Sequence, residues 1–182
     1  MEVNIKQALK MFFSKSSFEM IYFEAFANAL DANATEFNIN ISLSNYGELH
    51  NLIVILSDNG VGFNDVRFGK FSKLFDVEEQ SHKGLGRLVY LCYFDNVEVK
   101  SVFDNSKQRV FEFNEAFDKD CTITEIESTF NGSIFRMSGF TGERLGKNDY
   151  INPHYIKKAL LENFYMKFYK AKLVGKQLNV FI

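Results

Sequence analysis

Glu24, Asn28 and Asp31 stand at i, i+4 and i+7 in the stretch Met20-Ile-Tyr-Phe-Glu24-Ala-Phe-Ala-Asn28-Ala-Leu-Asp31, which is otherwise apolar. At about 100° per residue, a helix gathers the three onto a strip about 60° wide. A helix that is apolar nearly all round is buried. Carboxylates carried into a core without partners are costly, so the strip should line a pocket or meet a cation. The alternative is a partly exposed helix showing its solvent face. Against it, the stretch contains no Lys or Arg, the residues a solvent stripe usually carries.

Two glycine loops carry the next chemistry. Ser57-Asp58-Asn59-Gly60-Val61-Gly62-Phe63 follows the apolar run 52–56. Gly60 and Gly62 let the backbone turn tightly and approach a ligand closely. Asp58 can accept a hydrogen bond from an exocyclic amine. Read alone, Asp-Asn-Gly is equally an ordinary turn. Lys83-Gly84-Leu85-Gly86-Arg87 precedes another apolar run. Free N–H groups at a helix start, with glycines allowing close approach, form an anion site, and Lys83 and Arg87 add positive charge. Asn131-Gly132-Ser133-Ile134-Phe135 reads, by itself, as a hairpin turn.

The elements that must position these residues follow from periodicity. Residues 4–13 form a short amphipathic helix. Ser16 with Glu19 gives a capping-box pattern for a helix running to about Asn33. Residues 36–43 alternate as a strand with Phe37, Ile39, Ile41 and Leu43 on one face, and 49–56 form its hairpin partner after Asn45-Tyr46-Gly47. A mixed polar segment spans 66–83. A helix covers 85–93, and strands cover 97–103, 109–113, 121–128 and 133–140. Asn131-Gly132 joins the last two strands as a hairpin. Pro153 opens a final helix to about Tyr169, and 178–182 reads as a strand at the chain end. Helices, a hairpin, a helix and then a run of strands give an α+β fold, a two-layer sandwich whose mostly antiparallel mixed sheet is covered on one face by helices. Residues 1–150 read as one domain, with the helix and strand of 151–182 packed on it or leading to a further domain.

Composition narrows the classes. The formal net charge is -2, so there is no global basic field for nucleic acid. Lys157, Lys158, Lys167, Lys170, Lys172 and Lys176 face one acid, Glu162, in the C-terminal stretch. They form either a nucleic-acid patch or, more commonly, the polar face of an amphipathic helix. Cys92 and Cys121 fit neither a disulfide framework nor a zinc site and read as buried thiols in a reducing compartment. No run approaches a membrane span or a signal peptide, so a cytoplasmic protein without membrane contact is expected. His50, His82 and His154 are scattered and read as surface or loop residues.

Taken in order, the polar-striped helix, DNGVG after a strand, KGLG opening a helix, and NGSIF late in the sheet resemble the GHKL ATPase family. That family includes gyrase-type topoisomerases, large heat-shock chaperones, histidine kinases and MutL-type repair proteins. The resemblance covers residues 15–140. It departs from the usual pattern at His82, where many members have glycine, and at Ser133, where threonine is usual.

The resemblance implies ATP and Mg²⁺ as ligands. Asn28 would hold the metal, and Asp58 would read adenine. Gly60 and Gly62 would border base and ribose. Lys83, Gly84, Leu85 and Gly86 would form the lid hinge and phosphate cradle. Ser133 would join the water network around adenine, and Asp31 would support the base side. Glu24, one turn before Asn28, matches the general base of the hydrolytic branches; histidine kinases typically lack it. A carboxylate there can hold a water near the γ-phosphate. The expected function is Mg²⁺-dependent ATP binding with slow hydrolysis, used as a conformational switch. The alternatives are a histidine or serine kinase of the same fold and a non-hydrolysing nucleotide sensor. Ser72-Lys73 is similar to a Ser-Lys pair in the lid of repair relatives, and a solvated role is the commoner expectation. An ATP-dependent homodimer and a downstream domain or partner supplying a Lys are also implied, with the chain either a piece of a longer one or a stand-alone module.

Overall fold

The computed structural model describes residues 16–45, 47–73, 86–128, 130–142, 145 and 147–182. The predicted helix at 4–13, His82, and Lys83, Gly84 and Leu85 of the second glycine loop lie outside the described residues.

Helix α1 (Met20–Asp31) buries Ile21, Tyr22, Ala25, Phe26 and Ala29. It opens four residues after Ser16. The expected capping box is not made, because Glu19 takes the N-cap position without a side-chain cap. The Glu19 carboxylate instead accepts from Ser17 Oγ and Tyr155 Oη. Phe18, fully buried among Tyr22, Tyr93, Phe94 and Phe140, anchors the turn that enters the helix.

Strands β1 (Glu36–Ser42) and β2 (Ile53–Asp58) pair antiparallel. Leu49–Asn51 is a 3₁₀ turn, so β2 begins four residues later than its apolar pattern indicates. Helix α2 (Asp65–Ser72) occupies part of the segment read as mixed polar. Asn64 caps it by accepting from the Arg67 N–H at 3.0 Å. The apolar run after the second glycine loop is a 3₁₀ segment, Gly86–Cys92.

Strands β3 (Phe94–Phe103), β4 (Lys107–Phe113), β5 (Thr122–Glu125) and β6 (Gly132–Phe140) follow. The sheet order is β5-β4-β3-β6-β2-β1-β7, antiparallel except for β7 (Asn179–Phe181), which lies parallel to β1. The Asn131-Gly132 hairpin is therefore overturned. β5 is an edge strand on β4, while β6 inserts between β3 and β2. Gly132 is needed for close approach instead: a Cβ there would run into the Asp58 carbonyl.

Helix α3 (Pro153–Leu173) starts with Pro153 in its first turn and Asn152 accepting from the His154 N–H. It departs from helical geometry at Phe164, where Phe164 and Phe168 close on the Phe26 ring, with centroids 4.9 and 5.5 Å away.

Period-2 alternation makes one face of the sheet apolar. Across it run two rungs in register, Ile41–Val54–Met137–Val97–Phe113 and Ile39–Leu56–Phe135–Val99–Phe111. The sheet is mixed, seven-stranded and mostly antiparallel, with helices on this face, as the element order indicates. Two readings of the thiols are corrected: Cys121 is exposed and Cys92 only half-buried, its pKa pushed up to about 11 chiefly by burial. Among the described residues, no helix is long and apolar enough to cross a membrane.

Candidate functional site

The third rung on the same face is polar. Phe37, Asp58, Ser133, Ser101 and Arg109 stand opposite one another in sequence across β1, β2, β6, β3 and β4. Alternation from Val54 and Leu56 carries Asp58 to the inner face, and alternation from Met137 and Phe135 does the same for Ser133. An otherwise apolar sheet thus ends in hydroxyls and a carboxylate beside the first glycine loop.

Asp58 Oδ1 accepts from the Gly60 N–H at 2.8 Å. Burial, only partly offset by that bond and by the Arg67 charge, pushes its pKa up to about 6. Gly60 lies under the C-terminal end of α1. A Cβ there would sit 2.6 Å from Ala32 Cβ, and the Ala32 carbonyl accepts from Val61 N–H at 3.0 Å. Gly62 has φ +71, and a Cβ on it would strike the Val102 carbonyl. Both glycines therefore serve close approach within the protein as well as any ligand.

Several residues that motif reading left without a role hold this loop. Asn59 Oδ1 accepts from Thr35 N and Glu36 N, at 2.8 and 2.9 Å, and its amide donates to Thr35 Oγ1, tying the loop to the entry of β1. Ser101 Oγ accepts from Phe63 N–H at 2.8 Å and lies 3.0 Å from Ser133 Oγ. Arg109, 2% exposed, donates to the Phe63 carbonyl at 2.8 Å and to the Asp65 carboxylate. Its guanidinium packs over Phe68 and Phe103. Arg67 reaches from α2 to the Asp31 carbonyl. Residue type gave no signal for Ser101 or Arg109. Only their inward parity on β3 and β4, a polar residue where an apolar one is due, marks them.

Glu24, Asn28 and Asp31 share one side of α1, as their spacing requires, with Asn28 and Asp31 exposed and Glu24 half-buried. The Asn28 amide donates to Glu24 Oε1 at 3.0 Å. Gly86 lies directly against that carboxylate, where a Cβ would overlap it. The structure thus brings the helix strip and the last glycine of the second loop together. Burial raises the Glu24 pKa, against the Asn28 bond and the Arg87 charge, which lower it.

Arg87 differs from its expected part in an anion site. It is buried over the Phe71 ring and donates to the carbonyls of Lys73, at 2.9 Å, and Lys70. Burial lowers its pKa to about 10. Ser72, expected to be solvated, is also buried. Tyr90 completes this wall: it is fully buried, with its ionisation pushed well above the ordinary tyrosine value first by burial and then by the Glu24 charge.

Asn28 fits a hard cation in one respect. A carboxylate only accepts, so the amide nitrogen must face Glu24, leaving Oδ1 available as an oxygen ligand. Among the described residues, no group of three or more His, Cys, Asp or Glu side chains is placed to hold a metal.

A helix-covered, mostly antiparallel mixed sheet with this element order is the GHKL ATPase fold. The ATP-binding domain of topoisomerase IV from Francisella tularensis, solved with a small-molecule inhibitor, has this fold with a TM-score of 0.54 and 14% identity, over 89% of this chain and 83% of that one. The N-terminal domain of a DNA repair protein is similar with a TM-score of 0.51 and 18% identity, over 95% of this chain and 47% of that one. The present chain thus spans about half the length of the repair-protein chain. No protein-family model and no curated protein matches the sequence.

Proposed function

We propose that this domain binds ATP with Mg²⁺ and hydrolyses it slowly, the two nucleotide states setting a conformational switch. The observation that carries this reading is the Glu24 carboxylate, held by Asn28 on one side and pressed against Gly86 on the other. The polar rung of Asp58, Ser133 and Ser101 offers the base site on the same face of the sheet.

In this reading Asp58 accepts from the exocyclic amine of adenine, with Ser133 beside it. Gly60 and Gly62 border base and ribose, and Asp31 supports the base side. Lys83, Gly84, Leu85 and Gly86 contact the phosphates. Asn28 Oδ1 would hold the metal, which when bound would neutralise phosphate charge. Glu24 receives the proton of the attacking water as its oxygen bonds to the γ-phosphorus and the bond to ADP breaks. Partial desolvation makes Glu24 a stronger base than an exposed carboxylate, which suits that role.

Incubation with γ-labelled ATP tests the reading. Free labelled phosphate is expected. Label on the protein would instead mean a kinase, and binding without release would mean a nucleotide sensor.

A further inference from the structure

Arg87 stands where the chain is otherwise apolar. Leu88, Val89, Tyr90 and Leu91 follow it in the same 3₁₀ segment, and all are buried, as Arg87 is. The guanidinium lies over the Phe71 ring, 4.7 Å from its centroid. Its Nε has no hydrogen-bond partner, and among the described residues it forms no ion pair. A charge buried in this way is costly, and an apolar side chain of similar size would fill the same space without that cost. Packing alone therefore does not call for an arginine here.

The two bonds that Arg87 does make tie it to one place. Nη2 donates to the Lys73 carbonyl at 2.9 Å and Nη1 to the Lys70 carbonyl at 3.4 Å. Both carbonyls belong to the C-terminal end of α2, where helix carbonyls lack intrahelical partners and a cation is favoured. Two donors of one planar fork engage two fixed acceptors, so the side chain is set in orientation as well as in place. One peptide bond away, Gly86 abuts the Glu24 carboxylate with no room for a Cβ between them. On its other side that carboxylate is held by the amide of Asn28, an exposed residue. The end of α2, Arg87, Gly86 and the Glu24 carboxylate thus form one continuous series of contacts. From this series, and resting on the hydrolysis reading above, we propose that Arg87 is a positioning residue for Glu24: anchored to the end of α2, it holds Gly86 against the carboxylate and so sets where the attacking water is held. Arg87 acts through Gly86 and does not itself touch the nucleotide or the water. Its charge also favours the ionised form of Glu24.

The test measures single-turnover hydrolysis, and ATP affinity by calorimetric titration, in the whole chain and its Arg87→Met, Arg87→Lys, Glu24→Ala and Arg87→Met/Glu24→Ala variants. Thermal melts first confirm that each is folded. Methionine keeps an apolar contact with Phe71 and removes both bonds to α2. Lysine keeps the charge but offers a point in place of a fork. It replaces methionine, alone and with Glu24→Ala, if the methionine variant does not fold. Either Arg87 change should lower the single-turnover rate at least about tenfold while ATP affinity stays within a few-fold of wild type. In the Glu24→Ala background the same change should have no further effect on the rate. A rate within about twofold of wild type in Arg87→Met overturns the proposal, and so does one in Arg87→Lys, because charge without the fork would then suffice. An undiminished loss in the Glu24→Ala background also overturns it, because Arg87 would then support the fold and not the carboxylate. Affinity and rate falling together overturn it as well, since Arg87 would then shape the nucleotide site itself. A wild-type chain that binds ATP but releases no phosphate overturns the hydrolysis reading, and this proposal with it.

Discussion

Glu24 and Asn28 face each other across one turn of α1, with the amide nitrogen 3.0 Å from the carboxylate. With Glu24 ionised the bond has only one possible direction, so it orients both ends at once. The carboxylate is held with one oxygen engaged, and the amide turns its oxygen away from Glu24. A residue suited to hold a proton and a residue suited to hold a cation are thereby separated on one helix face.

Glu24→Ala should keep ATP affinity within a few-fold and lower turnover by a factor of about 10² or more, the usual scale for a lost general base. Single-turnover measurement is the check, because product release can hide a change in the chemical step. Hydrolysis at the wild-type rate would remove Glu24 from the reaction.

Asn28→Ala should abolish the Mg²⁺-dependent gain in nucleotide affinity and leave the weaker metal-free component. Titration with and without Mg²⁺ separates the two. An equal gain in the variant would mean that the cation is held elsewhere.

How much of this was legible in the sequence depends on the range of the interaction that fixes each element. The i, i+4, i+7 strip on α1 and the inward parity of β1 and β2 follow from local period, and the structure keeps both. Asn131-Gly132 misled because a two-residue turn signal says nothing about which strand comes alongside. Here Gly132 is dictated by the Asp58 carbonyl passing over it, a contact 74 positions away in the chain. Ser16 misled for a similar reason: Phe18 is drawn into an aromatic cluster, and the helix begins only beyond it, at Met20. Ser101 and Arg109 were invisible as motif residues, since their partners at Phe63 and Ser133 become neighbours only when β3 lies beside β6 and β4. Helix α2 was hidden by its polar composition; its ends are fixed by the Asn64 cap and by Arg87 donating to the carbonyls of Lys70 and Lys73.

Two glycine substitutions should separate function from fold. Gly86→Ala places a methyl against the end of the Glu24 side chain, which can move aside. The variant should stay folded, with turnover reduced at least about tenfold as the carboxylate is displaced. Gly62→Ala places a methyl against the Val102 backbone at φ +71, where neither partner can yield. It should destabilise the domain by about 2 kcal/mol or more. Denaturant midpoints and single-turnover rates, measured on both variants, check the pair. Equal stability loss in both would show that Glu24 is as immobile as backbone.

Asp58 gives a pH-dependence whose sign is opposite to that of a salt-bridged aspartate. Its pKa is raised from 3.8 to about 6 in the folded state, chiefly by burial. Between those values the native chain binds a proton that the unfolded chain has released. Stability therefore falls as pH rises through that window and stays lower above pH 6. At neutral pH the buried carboxylate costs about 1–3 kcal/mol, at roughly 1.4 kcal/mol per pKa unit. Asp58→Asn keeps an acceptor for the Gly60 N–H and removes the charge. It should be more stable than wild type at pH 7–8 by about that amount, with the difference vanishing near pH 4. The same variant should lose ATP binding, because an amide that keeps its acceptor toward the ligand also brings a donor into the base site. In wild type, ATP affinity should fall as pH drops through about 6, where the accepting carboxylate is protonated. Urea midpoints and calorimetric titrations from pH 4 to 8 measure both limbs. A variant that is less stable at neutral pH would show that the Asp58 charge is compensated in the fold. One that still binds ATP normally would reduce DNGVG to a turn.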